Sequence, residues 1–173
     1  MTRDVAGVWS EEDGVEINMV LHLPRDAASV PVTRRVLDGC LETLGVTPDT
    51  RADIALALSE ACANVIQHAG PGEEYQVEAS ARGGQCAIEV VNLGSGTCAG
   101  EGGGVALSGE LVPVTAEHGR GLKIIDAVVD NMQLTGSKSE GTILHFDKAL
   151  KWLPGAAGQH LLGTDGGSKT QPG

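Results

Sequence analysis

Aromatic side chains are nearly absent: Trp9, Tyr75, Phe146 and Trp152 make up 2% of the 173 residues. A core without them must be built from Val, Leu, Ile and Ala. A surface without them offers no faces on which nucleobases could stack. Basic residues are also scarce, with 12 Lys and Arg against 23 Asp and Glu, for a net charge of −11. That sign repels nucleic acid phosphates and favours a protein partner with a basic face. No apolar run reaches the roughly eighteen residues that a membrane-spanning helix needs. The first residues, MTRDVAGVWSEEDG, hold no apolar signal core, so a cytoplasmic location is expected. The four cysteines (Cys40, Cys62, Cys86 and Cys98) stand far apart with no C-x-x-C pair. They read as reduced thiols, not as a disulfide frame or a zinc site. There is no G-x-x-x-x-G-K-[ST] either, so a Walker A phosphate loop is excluded.

What is present is a chain of one domain's length with 41% apolar residues. Residues 1–13 read as a flexible leader, 14–153 as the folded domain and 154–173 as a disordered tail, the last on six glycines in the nineteen residues from Gly155. Within the domain, VEINMVLHL at 15–23 alternates as a half-buried strand that Pro24 ends. A helix is predicted from about Ala28 to Leu44, with Val32, Val36, Cys40 and Leu44 as its apolar stripe and Gly45 as its C-cap. A second helix starts at Thr47 or Asp49, carries Ile54, Leu58, Ala61 and Val65, and stops at Gly70-Pro71-Gly72. YQVEASAR and QCAIEVVN form a hairpin about Gly83-Gly84, the latter strand central. Six glycines fall in the eleven residues 94–104, opening an irregular stretch that lasts to about Glu117. A short helix over 121–129 and the strands NMQLTG and GTILHFDKAL complete the domain. Helices mixed with hairpins predict an α/β fold, a two-layer sandwich on one mixed sheet.

Three segments hold candidate chemistry. Glu60, Asn64 and His68 are spaced by four, and eight residues return within about 80° on a helix, so all three share one face. A solvated helix face accounts for that triplet taken alone. A carboxylate base beside an amide oxygen that ligates a hard cation accounts for it as well. In VVNLGSG (90–96), an apolar strand ends on Asn92, and Gly94 and Gly96 follow. Such glycines let backbone approach a flat ligand, but a loop follows them, not the helix of a dinucleotide-binding turn. In HGRGLKIID (118–126), Gly119 and Gly121 precede a helix, whose first N–H groups make an anion site, and Arg120 and Lys123 add positive charge.

In order and spacing, SEACANVIQHAG, VVNLGSG, HGRGLKIIDAVVD and EGTILHF resemble the nucleotide-binding fold shared by gyrase, histidine kinases and MutL, the GHKL or Bergerat fold. The chain is more similar to the small stand-alone branch, the anti-sigma factor serine/threonine kinases of the RsbW and SpoIIAB type, over about residues 15–150. The resemblance implies ATP and Mg²⁺ as ligands. It makes Glu60 the general base toward a protein serine or threonine hydroxyl and Asn64 the Mg²⁺ ligand. His68 borders the pocket. Asn92, Gly94 and Gly96 face the base and its loop, and the stretch from about Thr97 to Glu117 is the lid over ATP. His118, Gly119, Arg120, Gly121 and Leu122 form the phosphate-cradling segment, and Thr142 lies near the adenine. It implies a homodimer that phosphorylates a STAS-type anti-sigma-factor antagonist and holds a sigma factor, with Arg34 and Arg35 on a helix that relatives use for partners.

Asn92 departs from the pattern, because relatives carry aspartate there to accept from the adenine amino group. A neutral amide still accepts, more weakly, at a loss of about 1 kcal/mol. Two other readings compete. One is a module that binds ATP, or only a protein partner, without catalysis. The other is the catalytic part of a split histidine kinase, against which stands the lack of a phospho-accepting helical hairpin before the first strand.

Overall fold

The computed structural model describes residues 16–68, 73–92, 119–137 and 141–162. In chain order these form β1 (Ile17–Pro24), α1 (Ser29–Leu44), α2 (Pro48–His68), β2 (Glu74–Arg82) and β3 (Gln85–Asn92). After them come α3 (Gly119–Val128), β4 (Asn131–Ser137), β5 (Gly141–Ala149) and α4 (Ala157–Leu161). The sheet order is β1-β2-β3-β5-β4, so QCAIEVVN is the middle strand, as its apolar run predicts.

Every pairing in the sheet is antiparallel, not mixed as the sequence suggested. The reason lies in the connections. Two helical passes, α1 and α2, separate β1 from β2, so the chain re-enters the sheet running the opposite way. One pass, α3, separates β3 from β4, which therefore run the same way. The β4–β5 hairpin folds β5 back between them, and no parallel neighbours remain among the described residues. Two glycines with φ of 56° and 76°, Gly83 and Gly84, close the β2–β3 hairpin, where side chains would be strained.

One face of the sheet is covered by helices. Tyr75, Val77, Ala79 and Ala81 on β2 and Cys86, Ile88 and Val90 on β3 point into the core with Leu144 and Phe146 on β5. α2 is the middle helix, packed against α1, α3 and the sheet through Ile54, Leu58, Ala61 and Val65. The alternation of β1 holds, with Ile17, Met19, Leu21 and Leu23 half-buried.

Two expectations change. The buried stripe of α1 is Ser29, Thr33, Leu37, Leu41 and Leu44, whereas Val32 and Val36 are exposed by 53% and 40% and Cys40 faces solvent. Both stripes have helical spacing, and apolarity favours the wrong one. The hydroxyls of the true stripe are tolerated inside because each is bonded. Ser29 donates to Asp26 O and meets the Tyr75 hydroxyl at 2.6 Å, and Thr33 donates to Ser29 O. The stretch read as a tail also begins with ordered structure. α4 packs on the end of α1, Gly158 lies against Trp152 and Leu44, and Leu162 is 1% exposed. Glycine-rich composition hid these anchors.

Candidate active site

The topology gathers the sequence-predicted residues at one end of the sheet. β1 ends there, at Pro24 beside Glu74, and β3 ends there at Asn92, which pairs with Tyr75. Val91 pairs with Ile143, so one further step along that register sets Thr142 of β5 beside Asn92. The last turns of α2 and the first turn of α3 reach the same end.

α2 starts cleanly, with Pro48 in its first turn where a missing N–H does no harm, and Arg51 N donates to Thr47 O. Its last turns hold Glu60 and Asn64, both half-buried, one helical turn apart on the side toward α3. His68 is the final residue of the helix. Arg25, just past β1, ties this end down. Its guanidinium donates to the carbonyls of Val65 and Ile66 at 3.0 and 3.1 Å. Those carbonyls lie in the last turn of α2, where helix acceptors lack intrahelical partners. Sequence reading gave no sign of Arg25, because a backbone carbonyl forty residues away leaves no mark in a side-chain pattern.

α3 opens on Gly119, whose φ of 66° suits glycine and turns the chain into the helix. Arg120 and Lys123 are exposed, and Leu122 is fully buried and anchors the helix in the core. Gly121 lies close against Glu60. A Cβ there would sit 2.9 Å from Glu60 Oε2. The absence of a side chain at 121 thus creates the space that the Glu60 carboxylate occupies.

Asn92 is 1% exposed, and neither its Oδ1 nor its Nδ2 has a hydrogen-bond partner among the described residues. A buried amide left open in this way requires a ligand or water to complete it. Beneath it, Tyr75 is fully buried and bonded to Ser29 and Cys62, and burial pushes both the phenol and the Cys62 thiol up to about 12. This network ties α1, α2 and β2 together below the site in its neutral form.

The structure thus brings Glu60 and Gly121 into contact and sets Asn64, His68, Asn92, Gly119, Arg120, Leu122 and Thr142 around one end of the fold. Gly94, Gly96, His118 and the stretch 97–117 lie outside the described residues. Among the described residues, no group of three His, Cys, Asp or Glu side chains is placed to hold a metal, and no helix is long and apolar enough to cross a membrane. A shallow concavity of about 400 Å³ lies on the other face of the sheet, among Glu16, Asn18, Glu78, Glu89 and His145, and holds none of the predicted site residues.

Comparison with known proteins bears on the family and the fold. The sequence pattern of the histidine kinase-like ATPase domain matches residues 23–148. Among curated proteins, none matches. The crystal structure of the RsbU and RsbW domains of Rv1364c from Mycobacterium tuberculosis has the same fold, with a TM-score of 0.56 at 20% identity over 76% of this chain. This chain spans 32% of that one. The histidine kinase domain of the blue-light activated histidine kinase EL346 from Erythrobacter litoralis gives a TM-score of 0.42 at 18% identity, over 81% of this chain and 65% of that one. With α1, α2, β2, β3, α3 and β4 inside the matched stretch, and β5 all but its last residue, this chain belongs to the family of histidine kinase-like ATPase domains.

Proposed function

We propose that this chain is an ATP-dependent serine/threonine protein kinase that acts as an anti-sigma factor, with a STAS-type antagonist as its phosphate acceptor. The observation that carries the reading is the contact between Gly121 and Glu60 at the fold's open end. A half-buried carboxylate held by a helix whose start can receive phosphates is the pairing that transfer to a hydroxyl requires.

The residues present fit ATP and Mg²⁺. Asn92 offers a buried amide with no partner among the described residues, and Gly121 gives the Glu60 carboxylate its room beside the start of α3. Asn64 would ligate Mg²⁺, which takes few protein ligands and keeps waters and phosphate oxygens for the rest. The N–H groups of Gly119, Arg120 and Gly121 would receive phosphate oxygens. Mg²⁺-bound ATP supplies an electrophilic γ-phosphorus and ADP as leaving group. The acceptor hydroxyl oxygen forms the new bond to phosphorus as the bond to the ADP oxygen breaks, and Glu60 takes the hydroxyl proton.

For partners, α1 is the candidate face. Val32 and Val36 are exposed there beside Arg34 and Arg35, and apolar side chains rimmed by charge mark docking surfaces. A homodimer in the cytoplasm completes the reading.

The test is transfer of labelled γ-phosphate from ATP to a STAS-domain protein by wild type and Glu60→Gln. The variant should bind ATP normally and transfer about 10²- to 10⁴-fold more slowly. Equal rates would remove Glu60 from the chemistry. Binding without transfer in the wild type would leave a non-catalytic ATP-binding module.

A further inference from the structure

A lysine stands among the core side chains of the sheet. Leu144 and Phe146 of β5 face the helices and are fully buried, and Lys148 follows them in the same alternation, opposite buried Cys86 of β3. Its side chain is only 17% exposed. Burying an ammonium is costly unless it is paired, and Lys148 has partners on both neighbouring helices. Its Nζ lies 2.9 Å from Asp53 Oδ2 on α2 and donates to the backbone carbonyl of Val128, the last residue of α3. That carbonyl is among those a helix leaves without an internal partner, and a cation there suits the negative end of the helix dipole.

Lys148 thus holds one end of α3 against α2. The other end meets α2 where Gly121 lies against Glu60. The two contacts are in step. Asp53 and Glu60 are seven residues apart on α2, and Gly121 and Val128 are seven apart on α3. Seven residues make nearly two helical turns, about 10 Å of axis, and return to almost the same side. The two helices therefore run antiparallel, with Lys148 at one end of the shared length and the Glu60 carboxylate at the other. A short helix in a close-packed interior transmits a shift at one end to the other. The room at Gly121 depends on where Val128 is held.

We infer that Lys148 is a positioning residue for the Glu60 carboxylate. By tying the Val128 carbonyl to Asp53 it sets the register of α3 on α2, and so the place of Gly121 beside Glu60. The consequence for phosphate transfer rests on the function proposed above, and the register does not. The test is carboxyl-carbon NMR of the full chain labelled with ¹³C-glutamate, in wild type, Lys148→Met and Asp53→Asn. The Glu60 signal is identified by its loss in Glu60→Gln. Single-turnover transfer to a STAS-domain acceptor and ATP affinity are measured on the same proteins.

Both variants should move the Glu60 signal in the same direction, Lys148→Met further, while Glu78 on the other face of the sheet holds its place. A direct effect of the lost charge would have opposite signs, because one variant removes a cation and the other an anion. Transfer by Lys148→Met should slow about tenfold at unchanged ATP affinity, the scale for a displacement of part of an ångström. A Glu60 signal that stays in place in the folded variants, or moves in opposite directions in the two, overturns the inference. If Lys148→Met does not fold, Asp53→Asn in about 1 M salt decides, where screening leaves displacement as the cause of any movement. A signal that moves as expected while transfer keeps its full rate upholds the register and removes Glu60 from the chemistry. Folded wild type that transfers nothing defeats the proposed function, and the NMR comparison still decides the inference.

Discussion

Gly121→Ala separates positioning from stability. A Cβ at 121 would lie 2.9 Å from Glu60 Oε2, and ordinary contact begins at 3.4 Å, so the carboxylate must retreat by about 0.5 Å. The obstacle is the far end of a flexible side chain, with Glu60 Cβ and Cδ at 3.9 and 4.0 Å. Moving it off its preferred rotamer costs about 0.5–1.5 kcal/mol. Replacing glycine by alanine inside a helix returns about 0.5–1 kcal/mol. The two nearly cancel, so Tm should shift by no more than about 4 °C. Catalysis has no such offset. A misplacement of about 1 Å costs on the order of 10²-fold, so half that distance should slow transfer about tenfold. Thermal denaturation, ATP affinity and single-turnover transfer to a STAS-domain acceptor should be measured on the same preparation. Tm and affinity should hold while the rate falls. A folded variant with the full rate would refute the claim that α3 holds Glu60 in place. A loss of stability above about 3 kcal/mol would show that the space at 121 is bounded by something stiffer than a carboxylate.

Three further outcomes follow from other parts of the fold. Arg25→Ala strips the guanidinium from the Val65 and Ile66 carbonyls. It should lower stability by about 1–3 kcal/mol and speed amide exchange in the last turn of α2, an effect that global unfolding alone would not confine to that turn. Gly158→Ala would set a Cβ 2.3 Å from Trp152 and 2.7 Å from the Leu44 carbonyl. It should cost about 1–3 kcal/mol, and a neutral urea midpoint would mean that α4 does not dock as described. Burial holds Tyr75, Cys62 and Cys86 protonated up to about 12, above their ordinary values of 10, 9 and 9. The unfolded chain releases these protons first, so the stability these groups contribute should be fully present below about pH 9 and be lost from there toward 12. Stability that instead rises over that range would contradict the burial of these groups.

The periodicities that place strands and helices survive in the structure almost residue by residue, because each element buries one face. The Gly83-Gly84 turn and the central place of β3 were equally legible, from turn chemistry and a continuous apolar run. The sense of the sheet was not, since it depends on counting helical passes and on β5 inserting between β3 and β4. The buried stripe of α1 was misread because Ser29 and Thr33 are acceptable inside only beside Tyr75, a partner forty-six residues from Ser29. The candidate site was legible where it is local, in the i, i+4 spacing that sets Glu60 and Asn64 on one side of α2. It was not legible where it is tertiary. The contact of Gly121 with Glu60 and the support from Arg25 exist only once α3 and β1 are folded against α2.

Calorimetric titration of ATP into wild type and Asn64→Ala, each with and without Mg²⁺, tests the proposed binding of ATP through Mg²⁺ and Asn64 at this end of the fold. Wild type should bind ATP with an affinity that falls at least about tenfold without Mg²⁺, and an Asn64→Ala protein of equal Tm should lose this Mg²⁺ dependence, as expected if the amide oxygen ligates the metal. Folded wild type that takes up no ATP, or an Asn64→Ala protein with the same Mg²⁺-dependent affinity, would contradict it.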